Sequence, residues 1–151
     1  GRPADDIRPR LSARHFTARR NTGLIRDRDA MFHNIDARAE QVLDARSAGR
    51  FHGTEPEPRA GLRGGHIPGS MNLPASALIS SDGTMREPDE LRTVFEKAGI
   101  DLRRPIVTTC GSGVTASILA LGLAVLGKSQ VPVYDGSWAE WGAVAEMPVD
   151  V

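Results

Sequence analysis

The sequence holds a single cysteine, Cys110, in 151 residues. An intramolecular disulfide framework is therefore excluded, nothing calls for an oxidising compartment, and cytoplasm is the expected location. No apolar stretch reaches the roughly 18 residues that a membrane span requires, so no membrane role is expected. The chain also lacks a charge bias, with 19 Lys and Arg against 19 Asp and Glu. That balance argues against a general binder of nucleic acid or anionic membrane. His15, His33, His52 and His66 have neither a second cysteine nor clustered carboxylates at ligand spacing, so no metal site is expected. There is no internal repeat and no low-complexity segment. An initiator Met and a secretory leader pattern are both missing at Gly1, so a fragment with a native start upstream is expected.

What is present suits one domain and an arm. Residues 1–28 carry eight Arg against three Asp with almost no apolar periodicity, and read as an arm or inter-domain linker. Residues 29–151 read as the folded domain. Within it, a short helix is expected around Met31 to Arg38 and a buried strand at Gln41 to Ala45. The glycine- and proline-rich stretch from Ser47 to Pro74 reads as a long loop, of the kind that is usually functional or disordered. "REPDELRTVFEKAGID" predicts a helix with Pro88 in its first turn, Leu91, Val94, Phe95 and Ala98 on one face, and Gly99 as cap. "PIVTTC" and "VPVYDG" read as strands. Residues Thr115 to Leu126 read as a helix apolar nearly all round and buried on most sides, with Ala120, Gly122 and Ala124 permitting close packing. "SWAEWGAVAEMP" reads as a short closing helix, whose Trp138 and Trp141 pack on the sheet or at a domain boundary. Strands alternating with helices imply a parallel α/β sheet, whose ligands collect at the carboxyl ends of the strands.

Cys110 falls at one of those ends. As a lone cysteine it could be an inert core residue, but the order of strand, cysteine, glycine loop and helix favours a nucleophile. Only the thiolate is nucleophilic, and a free thiol of pKa ~8.5 is mostly protonated at pH 7. Lowering that by ~2 needs about 2.7 kcal/mol of stabilisation. Gly111 and Gly113 are expected to adopt positive φ, so that the N–H groups of about residues 111 to 115, Val114 and Thr115 included, turn inward as an anion nest at a helix N-terminus. Cysteine-dependent phosphatases and arsenate reductases close such a loop with an Arg, and none lies between Gly111 and Ser117. A small bowl without a guanidinium of its own suits one added sulfur atom, a persulfide.

The motifs "CGSGVTA", "VLDAR", "GRFHGTEPEPR", "GHIPGSMNLP" and "VYDGSWAEWG", in register from about Asn34 to Gly142, closely resemble the rhodanese superfamily. They are similar to the C-terminal catalytic domain of two-domain sulfurtransferases, whose fold is a central parallel five-stranded sheet flanked by helices. The "CGSGVT" loop resembles the 3-mercaptopyruvate sulfurtransferase branch, whereas thiosulfate-using relatives tend to carry basic residues where Gly111 and Ser112 stand.

The resemblance implies that Cys110 takes sulfur from 3-mercaptopyruvate, releases pyruvate and passes the sulfur to a thiol or cyanide, with no metal or organic cofactor. It places the substrate-holding arginines at Arg50 and Arg59, whose planar guanidinium fork suits a carboxylate. It gives Ser112 a part in proton transfer or substrate polarisation. Asp44, ending a buried strand, is expected to accept loop N–H groups or to pair with an Arg, as scaffold. His66 is expected as a turn residue rather than a general base. A thiosulfate:cyanide sulfurtransferase and a non-catalytic persulfide carrier are the alternatives. Two-domain relatives carry an inactive rhodanese-like first half, so this chain is expected to pack against such a domain.

Overall fold

The computed structural model describes residues 15–19 and 21–151. Five parallel strands form one sheet in the order β1-β5-β4-β2-β3. They are β1 (Ile25–Arg26), β2 (Gln41–Asp44), β3 (Met71–Asn72), β4 (Ile106–Thr109) and β5 (Val133–Tyr134). The helices are α1 (Arg28–Ala37), α2 (Ala48–Phe51), α3 (Pro88–Lys97), α4 (Ala116–Val125) and α5 (Ser137–Trp141), with single 3-10 turns at Thr22–Leu24 and Ala75–Leu78. No helix among the described residues is long and apolar enough to cross a membrane.

Side chains alternate across the sheet, because successive strand residues face opposite ways. Leu43 and Ile106 join a cluster with Leu78, Leu91, Phe95, Leu119 and Leu123 on the α3 and α4 face. Val42 and Val107 join Met31, Tyr134, Trp138 and Trp141 on the α1 and α5 face. Full burial of side chains such as Leu91 and Phe95 contributes about 1.5–3 kcal/mol each. Both central strands are buried along their whole length, as expected where helices cover both sheet faces.

Several expectations need correction. α1 begins at Arg28, earlier than Met31, because the Asp27 side chain accepts the Ala30 N–H at 2.8 Å and caps the helix there. The segment expected as an arm contains β1, since Ile25 and Arg26 pair with Val133 and Tyr134 of β5; residues 1–14 and Arg20 lie outside the described residues. The stretch from Ser47 to Pro74 is not all loop. Ser47 caps α2 through the Arg50 N–H, and β3 pairs with the end of β2. One helical turn and a two-residue strand are too short to leave a periodic signal.

α4 also departs from a helix buried on most sides. Ala116, Leu119, Gly122 and Leu123 are buried, but Leu121 is 57% exposed, Val125 47%, and Ala124 is exposed too. Its apolar composition made all faces look alike. Gly122 is the close-packing position, for a Cβ there would lie 2.6 Å from Leu78 Cδ2.

Candidate active site

The register of the central strands brings three loops to one edge of the sheet. Asp44 aligns with Thr109, and the Ala45 N–H donates to the Thr109 carbonyl at 2.9 Å. The chain after β2, Cys110 after β4 and Ser137 after β5 therefore meet at the carboxyl ends. A cavity of about 250 Å³ opens there, lined by Arg50, Glu57, Pro58, Arg59, Leu62, Cys110, Gly111, Ser112, Val114 and Thr115.

Cys110 is buried at 1% exposure. Burial is the largest influence on its thiol and pushes the pKa up. It is outweighed by the donors at the start of α4 and in the loop, the Thr115 hydroxyl first and then the N–H groups of Ser112, Ala116 and Thr115, and the net direction is down. The Ser112 N–H lies 3.4 Å from Sγ. The nest thus differs in detail from the expected run of residues 111 to 115: a side-chain hydroxyl joins it, and it extends into the first residue of α4.

Replacing the hydroxyl should read out directly. Thr115→Val removes a donor to the thiolate and keeps the side-chain shape, so the thiol pKa rises. Alkylation by iodoacetamide follows the thiolate fraction, and should fall about threefold at pH 7 and match the parent at high pH. Identical pH profiles for the two proteins would remove Thr115 from the thiolate's stabilising set.

The two loop glycines serve different purposes. Gly113 has φ +83, and a Cβ there would lie 2.9 Å from the Asp135 carbonyl oxygen. It is turned towards the segment after β5 and does not line the cavity. Gly111 is not at positive φ among the described residues, contrary to expectation. Its role is spatial, because a Cβ would lie 2.7 Å from Arg50 Nη2. The absence of a cation within the loop is therefore made good from outside it: α2 lays a guanidinium against the backbone at Gly111.

Arg50 is held by Glu57, which accepts from Nε at 3.2 Å and from Nη2 at 2.5 Å. That leaves the opposite edge of the fork, with Nη1, for a ligand. Glu57 is itself buried, with its side chain 1% exposed, and also accepts from Arg46 Nη1 at 2.8 Å. Arg46 is fully buried and donates to Asp44 through Nε and Nη2, the latter at 2.6 Å, and to the Gly65 carbonyl at 2.8 Å. Its guanidinium lies 4.3 Å from the Trp138 ring centre, a favourable contact with the ring face. Asp44, Arg46, Glu57 and Arg50 form one chain of alternating charge from the end of β2 to the cavity.

Arg59, Val114 and Ser112 are exposed at the cavity. His66 is set apart from the cavity lining: it stacks on Phe51 at 3.8 Å and its Nδ1 donates to the Phe51 carbonyl at 2.9 Å. Trp138 and Trp141 are buried and donate their indole N–H groups to the Arg63 and Pro148 carbonyls. Sequence reasoning missed Arg46, Glu57, Leu62 and Pro58. Arg46 follows a strand end and Glu57 stands between Pro56 and Pro58, but neither position marks a charge as buried.

Comparison with known proteins follows the same lines. A model of the rhodanese-like domain matches residues 28–144. The chain is 49% identical over 126 residues to mouse 3-mercaptopyruvate sulfurtransferase, covering 83% of this chain and 42% of that protein. It is 40% identical over 142 residues to bovine thiosulfate sulfurtransferase, covering 93% of this chain and 48% of that protein. Among solved structures, SseA from Escherichia coli, a 3-mercaptopyruvate sulfotransferase, superposes with a TM-score of 0.69 at 36% identity, over 82% of this chain and 45% of that one. The chain spans less than half the length of each of these relatives.

Proposed function

The chain belongs to the rhodanese family, and from that premise we propose that it moves a sulfur atom from 3-mercaptopyruvate, through a persulfide on Cys110, to a thiol or cyanide acceptor. The observation that carries this reading is a buried thiol ringed by N–H and hydroxyl donors at the floor of a small cavity, with an external guanidinium beside it. In the first step the Cys110 thiolate attacks the donor's sulfur. The Sγ–S bond forms as the S–C bond breaks, and the electron pair passes into the enolate of pyruvate. The proton from the donor's thiol ends on the methylene carbon, giving pyruvate and an enzyme persulfide. In the second step an acceptor thiolate or cyanide takes the outer sulfur and returns the Cys110 thiolate.

Arg50 and Arg59 are assigned to the donor's carboxylate and keto oxygen, where a guanidinium offers paired donors and fixed charge. Ser112, exposed at the rim, is assigned to proton transfer. The N–H groups of Ser112, Thr115 and Ala116 stabilise the persulfide as they do the thiolate, Gly111 and Val114 border it, and Gly113 shapes the loop. Asp44 is assigned a supporting role through Arg46. No residue here is required to hold a metal or organic cofactor for these steps. The catalytic domain is drawn from β1 onward, with the preceding residues as linker, and a second rhodanese-like domain is proposed as its neighbour. A reducing compartment such as the cytoplasm suits a cycle that regenerates a free thiol.

Steady-state rates separate the readings. Pyruvate release from 3-mercaptopyruvate should exceed thiocyanate formation from thiosulfate and cyanide, and Arg50→Ala should raise KM for the former at least about tenfold. Preference for thiosulfate would make that the donor. If neither donor yields product while a persulfidated partner protein loads Cys110, the carrier role replaces the enzymatic one.

Gly111→Ala tests the spatial role of the glycine. The new methyl forces Arg50 Nη2 away and loosens its hold on Glu57. KM for 3-mercaptopyruvate should rise about threefold to tenfold with kcat within about twofold. Unchanged KM would mean that the guanidinium contributes nothing from that position.

A further inference from the structure

The nucleophile loop is backed by a residue that no motif above assigns a role. Ser137 is fully buried and has φ +52, a conformation that non-glycine residues adopt only under constraint. Its hydroxyl fills all of its hydrogen-bonding positions. Oγ donates to the Tyr134 carbonyl at 2.8 Å, and accepts from the Cys110 N–H at 3.2 Å and from the Thr109 hydroxyl at 3.4 Å. The next two backbone N–H groups continue the contact: Trp138 donates to the Cys110 carbonyl and Ala139 to the Gly111 carbonyl, both at 2.9 Å.

These bonds determine where the loop's own donors point. A trans peptide is planar, so its C=O and the following N–H face opposite ways. Holding the Gly111 carbonyl against Ala139 turns the Ser112 N–H the other way, where Sγ lies 3.4 Å off. We propose that Ser137 is a positioning residue for Cys110: its hydroxyl anchors the Cys110 N–H, and its left-handed backbone aims the next two N–H groups at the loop carbonyls, so the thiolate's donors are in place before any sulfur donor arrives. Glycine would adopt this backbone without constraint, and the serine side chain supplies what glycine cannot.

The inference rests on the reading of Cys110 as nucleophile, but its test needs no sulfur donor. Cys110 is the sole cysteine, so iodoacetamide alkylation of the full chain reports on it alone. The rate is measured from about pH 5 to 10 for the parent, Ser137→Ala and Ser137→Gly, beside urea unfolding of each. Both variants should react about fivefold more slowly at pH 7, with the profile displaced to higher pH. Ser137→Gly should be the more stable of the two, since it removes the constrained backbone and the same hydroxyl. A purely structural role would move the urea midpoint and leave the alkylation profile in place, and a folded Ser137→Gly with the parent's profile overturns the proposal. If Ser137→Ala does not fold, Ser137→Gly decides alone; should that fail too, the hydroxyl holds the fold and not the loop, and the proposal is wrong. Absence of both pyruvate release from 3-mercaptopyruvate and thiocyanate formation from thiosulfate by the parent would sink the sulfurtransferase reading and leave this comparison intact.

Discussion

Cys110→Ser is expected to lower sulfur transfer by at least about a thousandfold, or about 4 kcal/mol of barrier. The site stabilises an anion at Sγ with N–H groups and the Thr115 hydroxyl, and that stabilisation is useful only if the atom ionises near neutral pH. A serine hydroxyl in the same place stays protonated. It also cannot form the exchangeable S–S bond on which the two half-reactions depend. The fold should survive, because the exchange is nearly isosteric and burying one hydroxyl costs only about 1–3 kcal/mol. Two measurements check this: pyruvate release, and intact mass after incubation with donor. The parent should gain about 32 Da that reductant removes, as persulfides do, and the variant should gain nothing. Turnover retained by a folded Cys110→Ser protein would overturn the mechanism.

The largest effect on stability is expected at Arg46. Its side chain is fully buried between Asp44 and Glu57, each 1% exposed. Removing one partner from such a cluster leaves uncompensated buried charge, at a cost of about 3–5 kcal/mol. Arg46→Ala would also leave the Gly65 carbonyl without its donor and empty the space over Trp138. At this chain length the cost corresponds to a fall in Tm of roughly 10 °C. Urea unfolding gives the value independently. Arg46→Lys should fall between the two, since an ammonium keeps the charge but cannot reach both carboxylates and the carbonyl with one rigid fork. A second consequence follows at the cavity: Glu57 would lose one of its two arginines and shift, so KM for the donor should rise in parallel. A loss below about 1 kcal/mol would show the buried charges to be dispensable to the fold.

How much of this was legible in the sequence depended on the kind of signal. α3 could be read because one face repeats apolar residues while Pro88 and Gly99 mark its ends, and β2 and β4 because short apolar runs stood between breakers. β1 and β3 could not, being two residues long and defined by their partners. Cys110 stood out through the order of strand, loop and helix around it. The reason for Gly111 was misjudged, because a tight approach by Arg50 from α2 is a tertiary fact that leaves no local trace. Arg46 and Glu57 were missed for a related reason: charged residues read as solvent-facing until a fold buries them together. The exposed side of α4 shows the opposite failure, since a helix apolar on every face gives no period by which to tell its inner side.

The strand order has a further consequence, in time. β1, near the start of the chain, pairs only with β5, and the peptide groups around Cys110 are held by Ser137, Trp138 and Ala139. Ser137 follows Cys110 by 27 positions, so until that segment docks the Cys110 N–H and the Cys110 and Gly111 carbonyls lack the partners that hold them in the fold. The nucleophile loop is thus completed by a segment that lies later in the chain, and its assembly waits on the docking of β5 and the turn that follows it.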